Sequence, residues 1–175
     1  MIILIGGSSH VGKTLVASKL MERLNIPFIS LDHLKMGFIR TGRTELTVND
    51  DYEMRYFLWP FAAEMIKTQI ENGQSCIYEG CYIPSEWRES FPDEYLKEIK
   101  CMFIVMSEGY IRGHFDSIED YADVVEKRTD DHPDMERLVN CSREFKEECI
   151  ERDIPYFEID IEFDTELILE KIKSL

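Results

Sequence analysis

The sequence predicts a three-layer α/β/α fold around a five-stranded parallel sheet. Five short runs of apolar, β-branched or aromatic residues recur along the chain, and segments with helical periodicity separate them. The predicted strands cover residues 2–5, 28–31, 76–78, 102–106 and 156–161. Runs that are apolar on both faces are typical of parallel strands that helices cover on each side.

The segments between these strands carry the marks of helices. Apolar residues at helical spacing predict helices over residues 13–24 and 51–71, the second with Pro60 as a kink, and Gly73 as its end. Shorter helical pieces are predicted over residues 85–89, 94–99 and 110–115. A long helix is predicted from residue 134 and a last one from residue 165.

Length and charge narrow the class of protein. With 175 residues, 44% of them hydrophobic, we expect residues 1–175 to form a single domain with a packed core. The formal net charge of −15 repels polyanions, so we expect no nucleic-acid and no anionic-membrane partner. Any phosphate site must then be a local island of positive charge.

The five cysteines are odd in number and form no C-x-x-C pair, which argues against a disulfide framework or a zinc site. No stretch of about 18 uninterrupted apolar residues predicts a membrane span. We therefore expect a cytoplasmic protein. The sequence leaves its oligomeric state open.

One motif carries most of the chemistry. Residues 7–14 match G-x-x-x-x-G-K-[ST], the Walker A phosphate loop (P-loop), between a predicted strand and a predicted helix. The residues are Gly7, Ser8, Ser9, His10, Val11, Gly12, Lys13 and Thr14. In such a loop the backbone N–H groups surround the phosphates of ATP, the lysine bridges the β- and γ-phosphates, and the hydroxyl binds Mg²⁺. The sequence thus predicts the P-loop NTPase fold with ATP and Mg²⁺ as cofactors; His10 either touches phosphate or faces solvent.

Other P-loop classes lack support. The chain has no N-K-x-D guanine signature and no L-S-G-G-Q-like transporter signature, which disfavours a GTPase or a transport ATPase. Acidic residues at the predicted ends of the second and third strands, with arginines further on, are instead typical of a small phosphoryl-transfer enzyme.

Several segments resemble the small P-loop nucleoside and nucleotide kinases, adenylate kinases most closely. Residues 28–35 with Gly37 and Arg40 resemble the family's substrate-side segment, and residues 128–138 are similar to its R-x-D-D-N…R-L stretch after the lid. The resemblance implies that Arg128 and Arg137 face the phosphates and that Arg112 lies near the adenine or the phosphates.

The third strand departs from that pattern. Where those kinases read Gly-Phe-Pro-Arg, this chain reads Glu79-Gly80 with Pro84 further on, and no arginine follows to hold a nucleoside monophosphate. The pattern resembles 2-phosphoglycerate kinase and other metabolite or antibiotic phosphotransferases. The implied acceptor is a small metabolite with a hydroxyl or a phosphate, and AMP is expected to be poor.

The residues expected on the acceptor side leave alternatives open. Asp32 could bind a hydroxyl or a magnesium-bound water, or could cap the next helix. Glu79 could anchor Mg²⁺ through water, hold the acceptor or pair with a basic residue. Lys35 and Arg40, with Arg43, could bind an anionic acceptor or form a solvated basic turn.

An acidic segment interrupts the packing pattern. Residues 116–136 hold nine acidic residues, with Lys127 and Arg128 as the bases, which predicts an insertion over about residues 113–134. It is either a lid over the site or a solvated helix face.

The function predicted from these features is transfer of the γ-phosphate of ATP to a small-molecule acceptor. Lys13, Asp32, Arg128 and Arg137 are the predicted catalytic residues, with Thr14 and Asp32 near Mg²⁺. The alternative is a nucleotide-dependent binding or regulatory module with little or no turnover.

Overall fold

The fold is built on a five-stranded, all-parallel sheet with the strand order β2-β3-β1-β4-β5. The computed structural model describes residues 1–121 and 134–175. The strands are β1 (Ile2–Gly7), β2 (Phe28–Ser30), β3 (Cys76–Glu79), β4 (Ile99–Met106) and β5 (Tyr156–Ile159). The first strand in the chain is therefore the central one, and the P-loop begins at its carboxyl end.

Seven α-helices lie in the described ranges. They are α1 (Lys13–Leu24), α2 (Leu31–Arg40), α3 (Asp51–Glu71), α4 (Asp93–Leu96), α5 (Glu108–Tyr121), α6 (Met135–Glu151) and α7 (Thr165–Lys173). A 3₁₀ turn, Trp87–Ser90, precedes α4. The helix α3 is continuous through Pro60.

Helices cover both faces of the sheet, and β1 shows why. Ile2 and Leu4 pack into one apolar cluster with α3, whereas Ile3 and Ile5 pack into a second cluster with α1 and α7. Successive strand residues point to opposite faces, so a strand buried between two helical layers must be apolar at every position. The predicted three-layer α/β/α fold and its five parallel strands are confirmed.

The largest error of the sequence prediction lies at β2. The strand ends at Ser30, and Leu31 begins the helix α2, which the sequence did not predict. Asp32 is therefore not the end of a strand but lies in the first turn of α2. It is not the cap either, since Ser30 occupies the N-cap position.

The predicted insertion begins as ordinary helix. The helix α5 extends to Tyr121, with a non-helical backbone at His114, so residues 113–121 belong to it. Residues 122–133, and with them Arg128 and most of the predicted lid, lie outside the described residues. No helix in the described ranges is both long enough and apolar enough to cross a bilayer.

Candidate phosphate and acceptor site

The P-loop leaves β1 through a glycine that no other residue could replace without a clash. Gly7 has φ +117°, and a Cβ there would lie 2.0 Å from the carbonyl oxygen of Ile104. That carbonyl also accepts the Ser8 N–H, at 3.2 Å. The loop thus stays within hydrogen-bonding distance of β4 as it turns away from the sheet.

The other end of the loop opens α1. Gly12 is the N-cap residue, in the left-handed conformation with φ +79°, and it has no side chain that could cap the helix N–H groups. A Cβ on Gly12 would lie 2.6 Å from the Phe163 ring. The first N–H groups of a helix have no intrahelical acceptors and carry partial positive charge, which suits them to phosphate oxygens.

Lys13 lies inside this loop. It is 8% exposed, and its Nζ donates a hydrogen bond to the Ser8 carbonyl oxygen at 2.6 Å. Thr14 follows in the first turn of α1, and His10 is half-buried with φ 62°. The cation and the hydroxyl that the motif requires therefore lie next to each other at the start of the helix.

The loop is also held from α6. The Ser8 hydroxyl donates a hydrogen bond to the Ser142 hydroxyl at 3.2 Å. Ser142 in turn donates to the Met106 carbonyl oxygen and accepts from the Met106 N–H, at 2.8 and 2.7 Å. The role of Ser142 was not predictable from the sequence, because a serine on a helix carries no signal of such a contact.

Carboxylates lie at the same edge of the sheet as the loop. In the strand register Glu79 pairs with Ile5 on one side and with Ser30 on the other. Glu79 is 1% exposed and Asp32 is half-buried two residues beyond Ser30. In open α/β sheets ligands bind at this carboxyl edge.

Cys81 follows the carboxyl end of β3, near charged groups of both the P-loop and α2. Burial raises the pKa of its thiol to about 12, the charge of Asp32 raises this pKa further, and Lys13 opposes the shift. Since both charges act on one sulfur, Lys13 and Asp32 both lie near Cys81. The thiol stays protonated at neutral pH, so Cys81 is an uncharged neighbour of a cation and a carboxylate.

Lys35, an expected acceptor ligand, is buried and belongs to a network that we call the Lys35 hub: Lys35, Val48, Asp51 and Tyr82. Its ammonium donates to the Tyr82 hydroxyl at 2.5 Å, to Asp51 Oδ1 at 3.2 Å and to the Val48 carbonyl oxygen at 3.4 Å. Tyr82 donates to the same Asp51 oxygen at 2.8 Å. Burial raises the pKa of Tyr82, so it remains a neutral hydroxyl.

The arginines predicted from the sequence occupy different places. Arg137 donates to Asp51 Oδ2 at 3.0 Å. Arg112 is exposed on α5 and pairs with Glu108 and Glu136 at 2.8 and 2.6 Å.

Arg40 and Arg43 are also exposed, whereas Lys35 is buried, so the three residues do not form one basic cluster. On α2, positions 35 and 40 point in directions about 140° apart, because successive helical residues are rotated by about 100°.

The residues present fit Mg²⁺. In the described part of the chain no three His, Cys, Asp or Glu side chains are grouped as a metal site made by protein alone. Mg²⁺ in nucleotide sites usually takes one or two protein oxygens and completes its shell with phosphate and water. Thr14 and Asp32 offer hard oxygen ligands of that kind, in the first turns of α1 and α2.

A cavity of about 420 Å³ lies beside the loop and includes Phe163, the residue that packs on Gly12. Its other lining residues come from α1, from the segment after β5 and from the start of α7: Lys19, Glu162, Asp164, Thr165 and Glu166. The sequence did not predict this cavity, because none of these residues belongs to a motif.

Solved structures match this chain over nearly its whole length. A sugar kinase from Janibacter sp. HTCC2649 is 18% identical with a TM-score of 0.61, and the match covers 99% of this chain and 92% of that one. A deoxyadenosine kinase from M. mycoides is 15% identical with a TM-score of 0.59, over 100% of both chains. The chain has the fold of the P-loop small-molecule kinases.

A further match to this kinase fold is a gluconokinase from Sinorhizobium meliloti 1021, 16% identical with a TM-score of 0.53, over 98% of this chain and 89% of that one. No family model matches the sequence, and no curated protein matches it. At such identities the shared property is the fold, and the kinases differ in the acceptors that their names give.

Proposed function

We propose that this protein is a kinase that transfers the γ-phosphoryl group of ATP to a small-molecule acceptor. The observation that carries the proposal is the common edge at which the P-loop, Asp32 and Glu79 lie in a kinase-fold sheet. Phosphoryl transfer needs cations and N–H groups on the phosphates and a group that orients the acceptor hydroxyl. The P-loop supplies the first set of groups, and Asp32 and Glu79 supply the second.

The phosphate side supplies charge stabilisation. The loop N–H groups and Lys13 bind the β- and γ-phosphates, and the Thr14 hydroxyl holds Mg²⁺, which neutralises phosphate charge when it is bound. Arg137 adds a cation from α6. Because the transition state spreads negative charge over the phosphoryl oxygens, these groups stabilise it more than they stabilise the bound substrate.

The acceptor side supplies orientation. Asp32 accepts a hydrogen bond from the acceptor hydroxyl and takes its proton as the new P–O bond forms, while the bond between the γ-phosphorus and the β,γ-bridging oxygen breaks and ADP leaves. Glu79 accepts a hydrogen bond from a second hydroxyl. A dianionic acceptor would meet these carboxylates unfavourably, which supports a hydroxyl compound over AMP.

The test is an ADP-release screen with MgATP over nucleosides, nucleotides, sugars, phosphorylated acids and aminoglycosides. We expect one class to raise ADP release above the rate with water alone and Lys13→Ala to remove the increase. The matched control is Lys171→Ala, because Lys171 is exposed on α7. ATP binding in calorimetry with no stimulation by any class would indicate the nucleotide-dependent binding module instead.

A further inference from the structure

Lys35 has no proton left for a ligand. An ammonium group has three N–H donors, and the Lys35 hub supplies three acceptors: Tyr82, Asp51 and the Val48 carbonyl. The side chain is 9% exposed. A buried ammonium group whose three donors are all used is held in place and is not free to bind an anion.

Lys35 and Tyr82 together hold one oxygen of Asp51. Its Oδ1 accepts hydrogen bonds from both Lys35 and Tyr82, so the carboxylate cannot rotate without breaking two partly buried contacts. Its Oδ2 points the other way, where Arg137 Nη2 lies 3.0 Å away. The side chain of Asp51 is 40% exposed and that of Arg137 is 66% exposed. The Lys35 end of the network is therefore fixed, and the other end holds the exposed guanidinium of Arg137.

Arg137 projects from the side of α6 that faces the P-loop. Burial raises the pKa of Cys141, one turn further along, and the nearby backbone N–H of Ser9 opposes that shift, while Ser142 bonds to Ser8. Residues i and i+4 lie on one helix face, about 5–6 Å apart. The Arg137 backbone is fixed as well, since its N–H donates to the capping carboxylate of Asp134 at 2.7 Å.

We propose that Asp51 is a positioning residue that holds the Arg137 guanidinium where it meets the γ-phosphoryl group, an inference that rests on the proposed function. Arginine has five N–H donors and Asp51 takes one of them. The remaining donors can bind phosphoryl oxygens while the contact with Asp51 persists. The helices α2 and α3 thereby fix the position of the Arg137 guanidinium, which belongs to α6, through the carboxylate of Asp51.

The test compares two nucleotides and needs no acceptor. MgADP and the non-hydrolysable analogue MgAMPPNP differ in the γ-phosphoryl group. The dissociation constant of MgADP divided by that of MgAMPPNP, which we call the nucleotide ratio, therefore reports contacts to that group. We expect Arg137→Ala to weaken MgAMPPNP about tenfold or more and to leave MgADP nearly unchanged, as for one lost charge-assisted hydrogen bond. Asp51→Asn should lower the ratio similarly, and the double variant should lower it no further.

Two further variants separate positioning from stability. Asp51→Asn leaves the buried Lys35 charge uncompensated, whereas Lys35→Met with Asp51→Asn removes both charges and should recover the melting temperature. We expect this pair to keep the low nucleotide ratio, because Arg137 still lacks its partner. Glu53→Gln is the matched control, since it removes an exposed charge from the same first turn of α3.

The outcomes are distinct. A wild-type ratio in Asp51→Asn, or a ratio restored together with stability in the Lys35→Met pair, overturns the positioning role and leaves the proposed kinase intact. Failure of the wild-type protein to bind either nucleotide overturns the proposed function, and the inference falls with it.

Discussion

Ser8 and Ser142 join the P-loop to α6 through a buried hydroxyl pair, 3.2 Å apart, although 134 positions separate them in the chain. Ser142 also bonds both backbone groups of Met106 at the end of β4. One side chain thus connects the loop, the helix that carries Arg137 and the sheet.

Ser142→Ala should destabilise the protein by about 1–3 kcal/mol, because it leaves a buried Met106 N–H without its hydroxyl acceptor. Urea unfolding measures the loss, and nucleotide binding should weaken with it. Ser174→Ala, at the exposed end of α7, is the control. Equal unfolding midpoints for the two variants would show that the hydroxyl contributes nothing.

Lys13→Ala should keep the fold and abolish phosphoryl transfer, because the motif places this cation on the β- and γ-phosphates. Circular dichroism checks the fold, and calorimetry with ATP checks binding. Turnover at the wild-type rate by the folded variant would contradict a role for the P-loop in catalysis.

Asp32→Asn should lower turnover by roughly 10²–10⁴ and nearly preserve ATP affinity, because the amide keeps the shape but cannot take the proton. Steady-state kinetics gives both numbers. The control is Glu45→Gln, an exposed acid between α2 and α3. Normal turnover in Asp32→Asn would reduce Asp32 to a favourable charge at the start of α2.

Glu79→Gln should raise the KM for the acceptor more than the KM for ATP, since Glu79 lies at the end of β3 and outside the P-loop.

AMP should be a poor acceptor for the wild-type protein, because a carboxylate stands where nucleotide kinases place an arginine. Efficient phosphorylation of AMP would show that the departure at Glu79 does not determine the acceptor.

Stability should fall as the pH rises above about 9, because buried thiols lose protons less readily than exposed ones. Burial raises the pKa of Cys81 and of Cys149 to about 12 from the ordinary value of 9.0. The folded state therefore holds these protons where the unfolded state releases them, and its advantage is lost between about pH 9 and 12. Urea unfolding from neutral to alkaline pH measures the slope, and Cys149→Ala should flatten it.

Local patterns predicted the P-loop and the sheet. Gly7, Gly12, Lys13 and Thr14 stand at fixed offsets because backbone shape and phosphate chemistry together require those residues, so a short motif suffices. The five strands were also predictable, since burial on both faces demands continuous apolar runs. The helix α2 was missed because Leu31 extends the apolar run of β2 in the sequence, although the backbone turns there.

The Lys35 hub could not be predicted in the same way. It joins Lys35 with Asp51 and Tyr82, which are 16 and 47 positions away in the sequence. Only the packing of α2 on α3, and of both beside the end of β3, brings the three groups together. From the sequence Lys35 could bind an anionic acceptor or belong to a solvated basic turn, and the structure shows it in an ion pair with Asp51.

The central place of β1 in the sheet has a consequence for synthesis on the ribosome. Ile2 lies opposite Cys76 in β3 and Ile99 in β4, so its two partners are made only 74 and 97 residues later. At about 5–20 residues per second, the delay before β4 emerges is on the order of 5–20 s. During that time the apolar strand β1 lacks at least one of its two neighbours, and we expect it to depend on chaperones until β3 and β4 enclose it.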